Sequence, residues 1–272
     1  MSLVINTNIA SLNAQRSLAK SGAELSTAME RLSSGKKINS AADDAAGFAI
    51  AERMTAQVRG LNMATKNAND GLSMLATIEN ATNDVTDMLH RMRELAVQAA
   101  NDTNSATDRG YLQTEVTALI AEIDRVSSDT KYNGTAVLDG TFTSKKLQVG
   151  TEAAQSITFS VSDVDATALA VNAADISTQA GAATALTSIS AAIETVAGQR
   201  ATYGALQNRL EYTVSNLMNV SEFTQAARSR IEDADFAAES ARLSKAQVLQ
   251  QTGTAMLAQA NASQQLALSL FR

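Results

Sequence analysis

The sequence predicts a mainly α-helical protein: a long antiparallel helical bundle or coiled coil with a small β-hairpin cap, whose N- and C-terminal helices pair at one pole. Apolar residues recur at alternating steps of three and four along most of the 272 residues, which is the coiled-coil spacing. The chain has no proline and only 4% aromatic residues, which favours uninterrupted helices packed through small aliphatic side chains. Strong turn signals fall in one internal segment, at about residues 131–180.

The first helix is predicted near the N-terminus, where an apolar stripe includes Leu18, Leu25, Met29 and Leu32. The small and polar residues from Ser33 to Gly47 then interrupt the pattern. This stretch predicts an elbow between the first helix and the second.

The second helix is predicted to run from about Asp44 to Ala100, with its apolar stripe slipping by one residue after Leu75. Ser105 and Asp108 have the spacing of a capping box, so a third helix should begin there. The second half of the second helix carries the stripe Ile78, Thr82, Val85, Leu89, Met92, Ala96 and Ala99.

The cap is predicted from turn and strand patterns between residues 131 and 180. Asn133-Gly134 and Asp139-Gly140 are strong turn signals, and the segments KKLQVG and SITFSV have the character of short strands. A long helical stripe returns from Leu186 to Leu217. The polar stretch at residues 229–240 predicts a second elbow before the final helix.

Composition excludes several functional classes. A net charge of -6 argues against a nucleic-acid partner, which would require clustered Lys and Arg. The chain has no cysteine, and its single histidine, His90, excludes a His-based metal cluster or catalytic dyad. No Gly-rich phosphate-binding loop is present. We therefore predict a protein that is not an enzyme and needs neither cofactor nor metal.

No membrane span and no secretory signal peptide are expected. The N-terminus lacks the charged, apolar and small-residue regions of a signal peptide. The stretch from Ala246 to Phe271 is uncharged and long enough to span a bilayer, but its many glutamines would be costly in lipid. We interpret it as a helix with close protein neighbours.

Both chain ends are unusually apolar, and the final helix has apolar residues on more than one face. Such a helix needs more than one neighbour, and further copies of the same chain would supply them. The predicted interface consists of Ile5, Ile9, Leu12, Leu18, Leu25, Met29, Leu32, Leu249, Met256, Leu257, Leu266, Leu268, Leu270 and Phe271.

Several long motifs at the two ends resemble those of bacterial flagellin, and they occur in the family's order. They cover roughly residues 1–150 and 192–272. The motifs include VINTNIASLNAQRSL, ERLSSGKKINSAADDAAGFAIAERM, GLNMATKNANDGLSM, MRELAVQAANDTNS, EIDRVSSDTKYNG, ARSRIEDADFAAESARLSKAQVLQQTGTAMLAQAN and the terminal LSLFR.

The resemblance implies a secreted structural subunit that polymerises into the extracellular flagellar filament. In that family, residues equivalent to 1–43 and 233–272 form the inner core, and those equivalent to 44–232 form the outer shell. The implied partners are other copies of the chain, the flagellar export apparatus, a secretion chaperone at the C-terminal segment, the filament cap, hook-associated proteins and, in cells that make one, another flagellin. Many relatives carry a proline near the C-terminus; this chain does not, so its last helix should continue close to Leu270.

Two further surfaces are expected. The resemblance places a patch for a vertebrate Toll-like flagellin receptor at Arg91, Leu95 and Glu115. The Ser and Thr residues of the cap are candidates for O-glycosylation: Thr141, Thr143, Ser144, Ser160 and Ser162.

Two alternative functions stay open from the sequence. A hook-filament junction protein also carries apolar terminal helices, although its motifs usually match flagellin less well. A cytoplasmic coiled-coil signalling rod would fit the Ala-, Gln- and Ser-rich helices, but the chain lacks the membrane span that accompanies a receptor hairpin.

Overall fold

The structure, a computed structural model, describes residues 7–269, with side chains described through residue 263. Over these residues the chain forms five α-helices and four short strands. The helices are α1 (Ile9–Ser34), α2 (Ala45–Ala99), α3 (Ala106–Asp129), α4 (Gln179–Glu232) and α5 (Phe236–Ser269). The strands are β1 (Lys131–Tyr132), β2 (Thr135–Ala136), β3 (Lys145–Gln148) and β4 (Ser156–Phe159). The predicted fold class is confirmed, and so is a last helix that continues to Ser269.

The helix ends follow local capping chemistry. Gly35 ends α1 in the left-handed region at φ 71°, and its N–H donates to the Arg31 carbonyl at 2.9 Å. The α3 capping box is confirmed: Ser105 Oγ accepts from the Asp108 N–H at 3.2 Å, and the Asp108 carboxylate accepts from the Ser105 N–H at 3.0 Å. These caps place the breaks between helices where the sequence patterns predict them.

The chain divides into two compact units. The terminal unit comprises residues 1–58 and 222–272, and the central unit comprises residues 59–221. The predicted domain limits, at 43/44 and 233, coincide instead with the breaks between α1 and α2 and between α4 and α5. The division into 1–43 plus 233–272 and 44–232 stays a prediction.

The central unit has a continuous apolar core. The predicted α2 stripe from Ile78 to Ala99 is fully buried at every position. Val116 and Ile123 of α3 and Ile189 and Val196 of α4 join the same core. Large side chains therefore fill this unit from three helices.

The cap consists of two antiparallel hairpins and the irregular segment that follows them. Asn133 and Gly134 turn the first hairpin with positive φ angles of 49° and 79°. In the second hairpin Leu147 of β3 pairs with Ile157 of β4. A Cβ at Gly71 would lie 2.5 Å from the Leu147 side chain, so the glycine lets this hairpin approach α2 closely.

Helix α4 is, among the described residues, the one helix that is long and apolar enough to cross a membrane by length and composition. Ala182, Ala185, Ile189, Ala192 and Val196 recur every three or four residues along it and are buried in the central unit. We interpret the apolar stretch as the packing face of a core helix.

In the terminal unit α1 and α5 pack as an antiparallel pair. An isolated antiparallel bridge pairs Lys36 with Asp233 beside the pair, next to the two helix breaks. There the Lys37 N–H donates to the Glu232 carbonyl at 2.6 Å, and the Ala234 N–H donates to the Gly35 carbonyl at 3.0 Å. The two breaks are thus joined to each other through the backbone.

Candidate assembly interface

The seam between α1 and α5 is lined mostly by small or polar residues. Ser11, Ser21 and Ala28 are the buried residues of α1, and Ala246 and Glu239 are those of α5. Their spacing of seven or ten residues along each helix is typical of a coiled-coil seam. Among the side chains that the structure describes, the most deeply buried positions of the pair are therefore small or polar.

Four of the predicted interface leucines lie at intermediate depth and not on the open faces of the helices. They are Leu18, Leu25, Leu32 and Leu257. The Leu18 side chain packs over Gly253, where an added Cβ would lie 3.3 Å from Leu18 Cδ1. The small residue on α5 admits the leucine from α1.

Polar contacts join the pair near both ends of the seam. At one end Asn8 Nδ2 donates to the Ala260 carbonyl at 2.9 Å. At the other, Arg31 Nη1 lies 3.8 Å from Glu239 Oε1. These contacts align α1 and α5 in one register.

A polar loop follows α1. The backbone N–H groups of Ser40 and Asn39 donate to the Asp43 carboxylate, and together with the Ser40 hydroxyl and the Arg31 charge they hold the pKa of Asp43 below its usual value. Asp44 accepts from the Gly47 N–H at 2.9 Å at the start of α2. Both aspartates therefore stabilise the break, as expected of residues at a helix N-terminus.

The other large apolar residues of the predicted interface point into solvent. The exposed fractions are 63% for Ile9, 53% for Leu12, 57% for Met29, 42% for Leu249 and 64% for Met256. Leu249 and Met256 are seven residues apart and so share one face of α5. Ile5, Leu270 and Phe271 lie outside the described residues, and Leu266 and Leu268 lie beyond the last described side chain.

The sequence interpretation missed Val248, which is 58% exposed, and Phe236, which is 59% exposed. Val248 lies on the side of α5 next to Leu249, within the uncharged stretch that begins at Ala246. This uncharged stretch could have identified Val248 from the sequence, because an apolar residue in it that has no partner in the α1–α5 seam must face outward.

This arrangement suits burial against further helices. Fully burying one such side chain contributes about 1.5–3 kcal/mol, so several per helix would offset part of the conformational entropy that the pair loses on ordering. No lysine, arginine, aspartate or glutamate follows Lys245 until Arg272, so close packing against neighbours would bury few charges. The surface is therefore suited to association with further helices.

Of the three residues predicted for the receptor patch, Arg91 and Glu115 have exposed side chains and Leu95 is buried. Arg91 Nε lies 2.8 Å from Glu115 Oε1, and Arg91 also pairs with Glu94 at 3.0 Å. These two carboxylates raise the pKa of Arg91 above its usual value. Leu95 is only 1% exposed and belongs to the core of the central unit. Its side chain therefore cannot form part of a surface patch, because the α2 stripe turns it inward.

The five candidate glycosylation residues, Thr141, Thr143, Ser144, Ser160 and Ser162, are all exposed. Thr141 Oγ1 and its N–H both bond the Asp139 carboxylate, which lowers the pKa of Asp139. Ser160 Oγ accepts from the Ser144 N–H at 2.9 Å. Among the described residues no hydrogen bond is found for the hydroxyls of Thr143, Ser144 and Ser162, and these three are therefore the least engaged of the five.

Within residues 7–269, no group of three or more His, Cys, Asp or Glu side chains is placed to hold a metal ion. His90 is exposed on α2. Outward apolar residues occur on α1 and α5, and others lie on α2, α3 and α4, among them Tyr212 and Phe223.

Comparison with known proteins bears on this surface. The profile of the bacterial flagellin N-terminal helical region matches residues 5–143, and that of the C-terminal helical region matches residues 186–271. The flagellin of Halalkalibacterium halodurans is 43% identical, covering 99% of this chain and 100% of its own.

Two solved structures are also similar. The crystal structure of Bacillus cereus flagellin is 32% identical with a TM-score of 0.51, covering 56% of this chain and 88% of its own. A structure assigned to a flagellar hook-associated protein of Vibrio parahaemolyticus has a TM-score of 0.61 over 70% of this chain and 100% of its own, but is 16% identical. The second likeness concerns the fold alone.

Proposed function

The chain belongs to the bacterial flagellin family and is a structural subunit that polymerises into the flagellar filament; on this premise we propose that α1 and α5 form its inner filament core. Residues 44–232 then form the shell around that core. The observation that carries the proposal is the exposure of Ile9, Leu12, Met29, Leu249 and Met256 on two paired helices whose own seam is narrow.

The experiment replaces outward apolar residues with the uncharged polar residue already common on α5. Leu249→Gln with Met256→Gln should leave the monomer folded and should raise the critical concentration for polymerisation of purified protein by at least about tenfold, because each buried leucine or methionine contributes about 1.5–3 kcal/mol. Gln251→Ala, at an exposed neighbouring position, is the matched control and should polymerise normally. Normal filaments from the double variant would contradict the proposal.

We place the export partners at the same segment. The uncharged part of α5 that begins at Ala246 has exposed apolar residues and would be at risk of premature association in the cytoplasm. A secretion chaperone should therefore cover it until the export apparatus takes the chain. Delivery outside the cell then brings it to the filament cap and hook-associated proteins, and to any second flagellin. Chaperone binding that survives removal of residues 246–272 would place the partner elsewhere.

Recognition by a Toll-like flagellin receptor is proposed for the exposed pair Arg91 and Glu115, with Glu94 beside them. Leu95 would act only by holding α2 in place. Arg91→Ala and Glu115→Ala monomers should lose signalling in receptor-bearing reporter cells, while the exposed control Arg93→Ala should keep it. Silent cells with the unmodified monomer would reject the receptor as a partner.

O-glycosylation is proposed for the exposed hydroxyls of the cap, with Thr143, Ser144 and Ser162 as the preferred sites. Their side chains are exposed, and their hydroxyls are available for a glycosyl bond. Filament protein from cells should then exceed the 28.5 kDa of the unmodified chain, and Thr143→Ala with Ser144→Ala and Ser162→Ala should reduce the excess. An intact mass equal to the unmodified chain would remove this proposal.

The hook-associated likeness favours one competing role, a junction subunit. The full-length flagellin match at 43% identity outweighs it, since a structure 16% identical indicates the fold alone. Deletion of the gene distinguishes the two roles: loss of filament mass identifies a filament subunit, and a normal hook that sheds other flagellin identifies a junction protein.

A further inference from the structure

Glu239 is a buried carboxylate in the otherwise weakly polar seam of the α1–α5 pair. It is 5% exposed. Its Oε2 lies 3.1 Å from Arg242 Nη1 on the same helix, and its Oε1 lies 3.8 Å from Arg31 Nη1 on α1. A carboxylate at this depth is costly unless a positive charge stays beside it. The cost of burying Glu239 therefore depends on whether the opposite helix brings a positive charge such as Arg31.

Among the described residues, Arg31–Glu239 is the only ion pair that joins α1 to α5. The Asn8 hydrogen bond to the Ala260 carbonyl and the packing of Leu18 over Gly253 fit the same register, but neither involves a charge. Ser21, Ala28 and Ala246 are small, and small residues at a seam accept several neighbouring helices. Within the described part of the chain the ion pair is thus the contact that a wrong register would leave as two unpaired charges.

Selectivity matters when many identical chains assemble. If α1 and α5 form the filament core, the α5 helices of other copies would offer each α1 the same seam residues as its own α5. Exchange of an identical element between copies is a low-cost alternative to pairing within one chain. The backbone bridge at Lys36 and Asp233 holds Arg31 and Glu239 of the same chain near each other before any other copy arrives.

We propose that the Arg31–Glu239 ion pair makes α1 select the α5 of its own chain, in one register, during filament assembly. This inference rests on the proposed function of the α1–α5 pair as the filament core. Glu239 and Arg31 are positioning residues here: they choose the pairing, and the outward apolar residues provide the contacts between copies.

The surrounding charges decide how the pair should be altered. Arg31 also faces the Asp43 carboxylate, while Glu232 pairs with Lys36 and Arg228 instead. Arg31→Glu would therefore repel both Glu239 and Asp43. An arginine at 239 would repel Arg242, so the charge exchange is best made in an Arg242→Gln background.

The first test uses the monomer and does not depend on polymerisation. The chain has no cysteine, and a Cβ at Gly253 would lie 3.9 Å from the Leu18 Cβ, a separation that a disulfide can bridge. Leu18→Cys with Gly253→Cys should form an intrachain disulfide on mild oxidation. Adding Arg31→Glu should lower its yield about tenfold, as expected for loss of a charge pair that fixes register. Adding Arg242→Gln instead should leave the yield unchanged.

The second test distinguishes pairing within one chain from pairing between chains. In the Arg242→Gln background, Arg31→Glu alone and Glu239→Arg alone should each assemble poorly, and the chain carrying both changes should assemble again. An equimolar mixture of the two single variants should stay defective, because each chain still repels itself. When filaments of the Leu18→Cys, Gly253→Cys variant are oxidised, every disulfide should lie within one chain, so that the dissolved protein runs as a monomer.

Three results would overturn the inference: assembly of the mixture as well as of the double exchange, interchain disulfide ladders in filaments, or an Arg31→Glu monomer that forms the disulfide at the parental yield. Polymerisation of unmodified protein is scored separately. If unmodified protein fails to polymerise, the proposed core fails, while the disulfide yield in the monomer still decides whether Arg31 and Glu239 set the register.

Discussion

The central unit and the α1–α5 pair are both built from long helices, yet they bury opposite kinds of residue. Leu75, Ile78, Leu89 and Met92 are completely buried in the central unit. In the pair the buried positions are small or polar, and the large apolar side chains Leu12 and Met256 face outward. The core of the central unit is therefore filled within one chain, whereas we expect other copies to cover the outward apolar side chains of the pair.

The largest expected effect concerns local stability in the monomer. We predict that backbone amides of α1 and α5 exchange hydrogen at a local opening free energy near zero to a few kcal/mol, while those around Leu89 approach the global value of about 5–15 kcal/mol. Hydrogen exchange by mass spectrometry measures both. In filaments the α1 and α5 amides should become strongly protected. Equal protection of the two regions in the monomer would mean that the pair is already complete without other copies.

The next effect contrasts two leucines. Leu89→Ala removes a fully buried side chain and should lower the free energy of unfolding by about 2–5 kcal/mol. Leu249→Ala removes a side chain that is 42% exposed and should change monomer unfolding by no more than about 0.5 kcal/mol. Chemical denaturation followed by circular dichroism gives both values. Leu249→Ala should instead weaken polymerisation. Equal losses of monomer stability in the two variants would contradict the prediction.

A smaller effect concerns the α3 capping box in the central unit. Hydrogen bonds from the Ser105 hydroxyl and N–H hold the pKa of Asp108 below its usual 3.8. Because the folded pKa is lower than the unfolded one, the stabilisation is present above about pH 4 and disappears as the pH falls through the folded value. Ser105→Ala should cost about 1 kcal/mol at neutral pH.

The control for this prediction is pH itself. Below the folded pKa of Asp108 the gap between the variant and the parent should narrow without closing. The Ser105 hydroxyl then loses its bond to the carboxylate anion but still accepts from the Asp108 N–H. Thermal melts from neutral pH into acid measure the difference. A gap that stays unchanged in acid would assign the effect of Ser105→Ala to the bond from the Asp108 N–H, to helix propensity or to packing, and not to the Asp108 carboxylate.

The smallest effect is expected at the surface pair of the central unit. Glu115→Gln removes the negative charge that lies 2.8 Å from Arg91 Nε, but exposed ion pairs contribute about 0–1 kcal/mol. Monomer stability should therefore hardly change, with any difference shrinking at high salt. A loss of several kcal/mol would show that Arg91 and Glu115 are structural and would weaken their assignment as a recognition surface.

Much of the fold was predictable because its signals are local in sequence. The α2 limits differ from prediction by one residue at each end, since an apolar stripe with the helical period reports one helix directly. The Asn133-Gly134 turn and the Ser105 capping box depend on residues two or three positions apart. Flagellin membership followed from long motifs, which also need no three-dimensional information.

The terminal helices could be predicted by the same reasoning, but their surfaces could not. Ile9, Leu18 and Met29 all belong to apolar patterns on one helix. Which of them faces α5 depends on the pairing of segments as distant as Asn8 and Ala260. Periodicity identifies an apolar stripe but does not say how much of it the chain's own partner helix covers.

The sequence by itself thus determined the helices, the cap, the family and the apolar character of both ends, because each of these rests on spacing or on contiguous motifs. The tertiary structure decided that Leu95 lies in the core, that Leu18 packs over Gly253 while Met256 faces outward, and that Glu239 is buried beside Arg31. These properties depend on contacts between residues far apart in the chain, and burial is a property of such contacts and not of the residue alone.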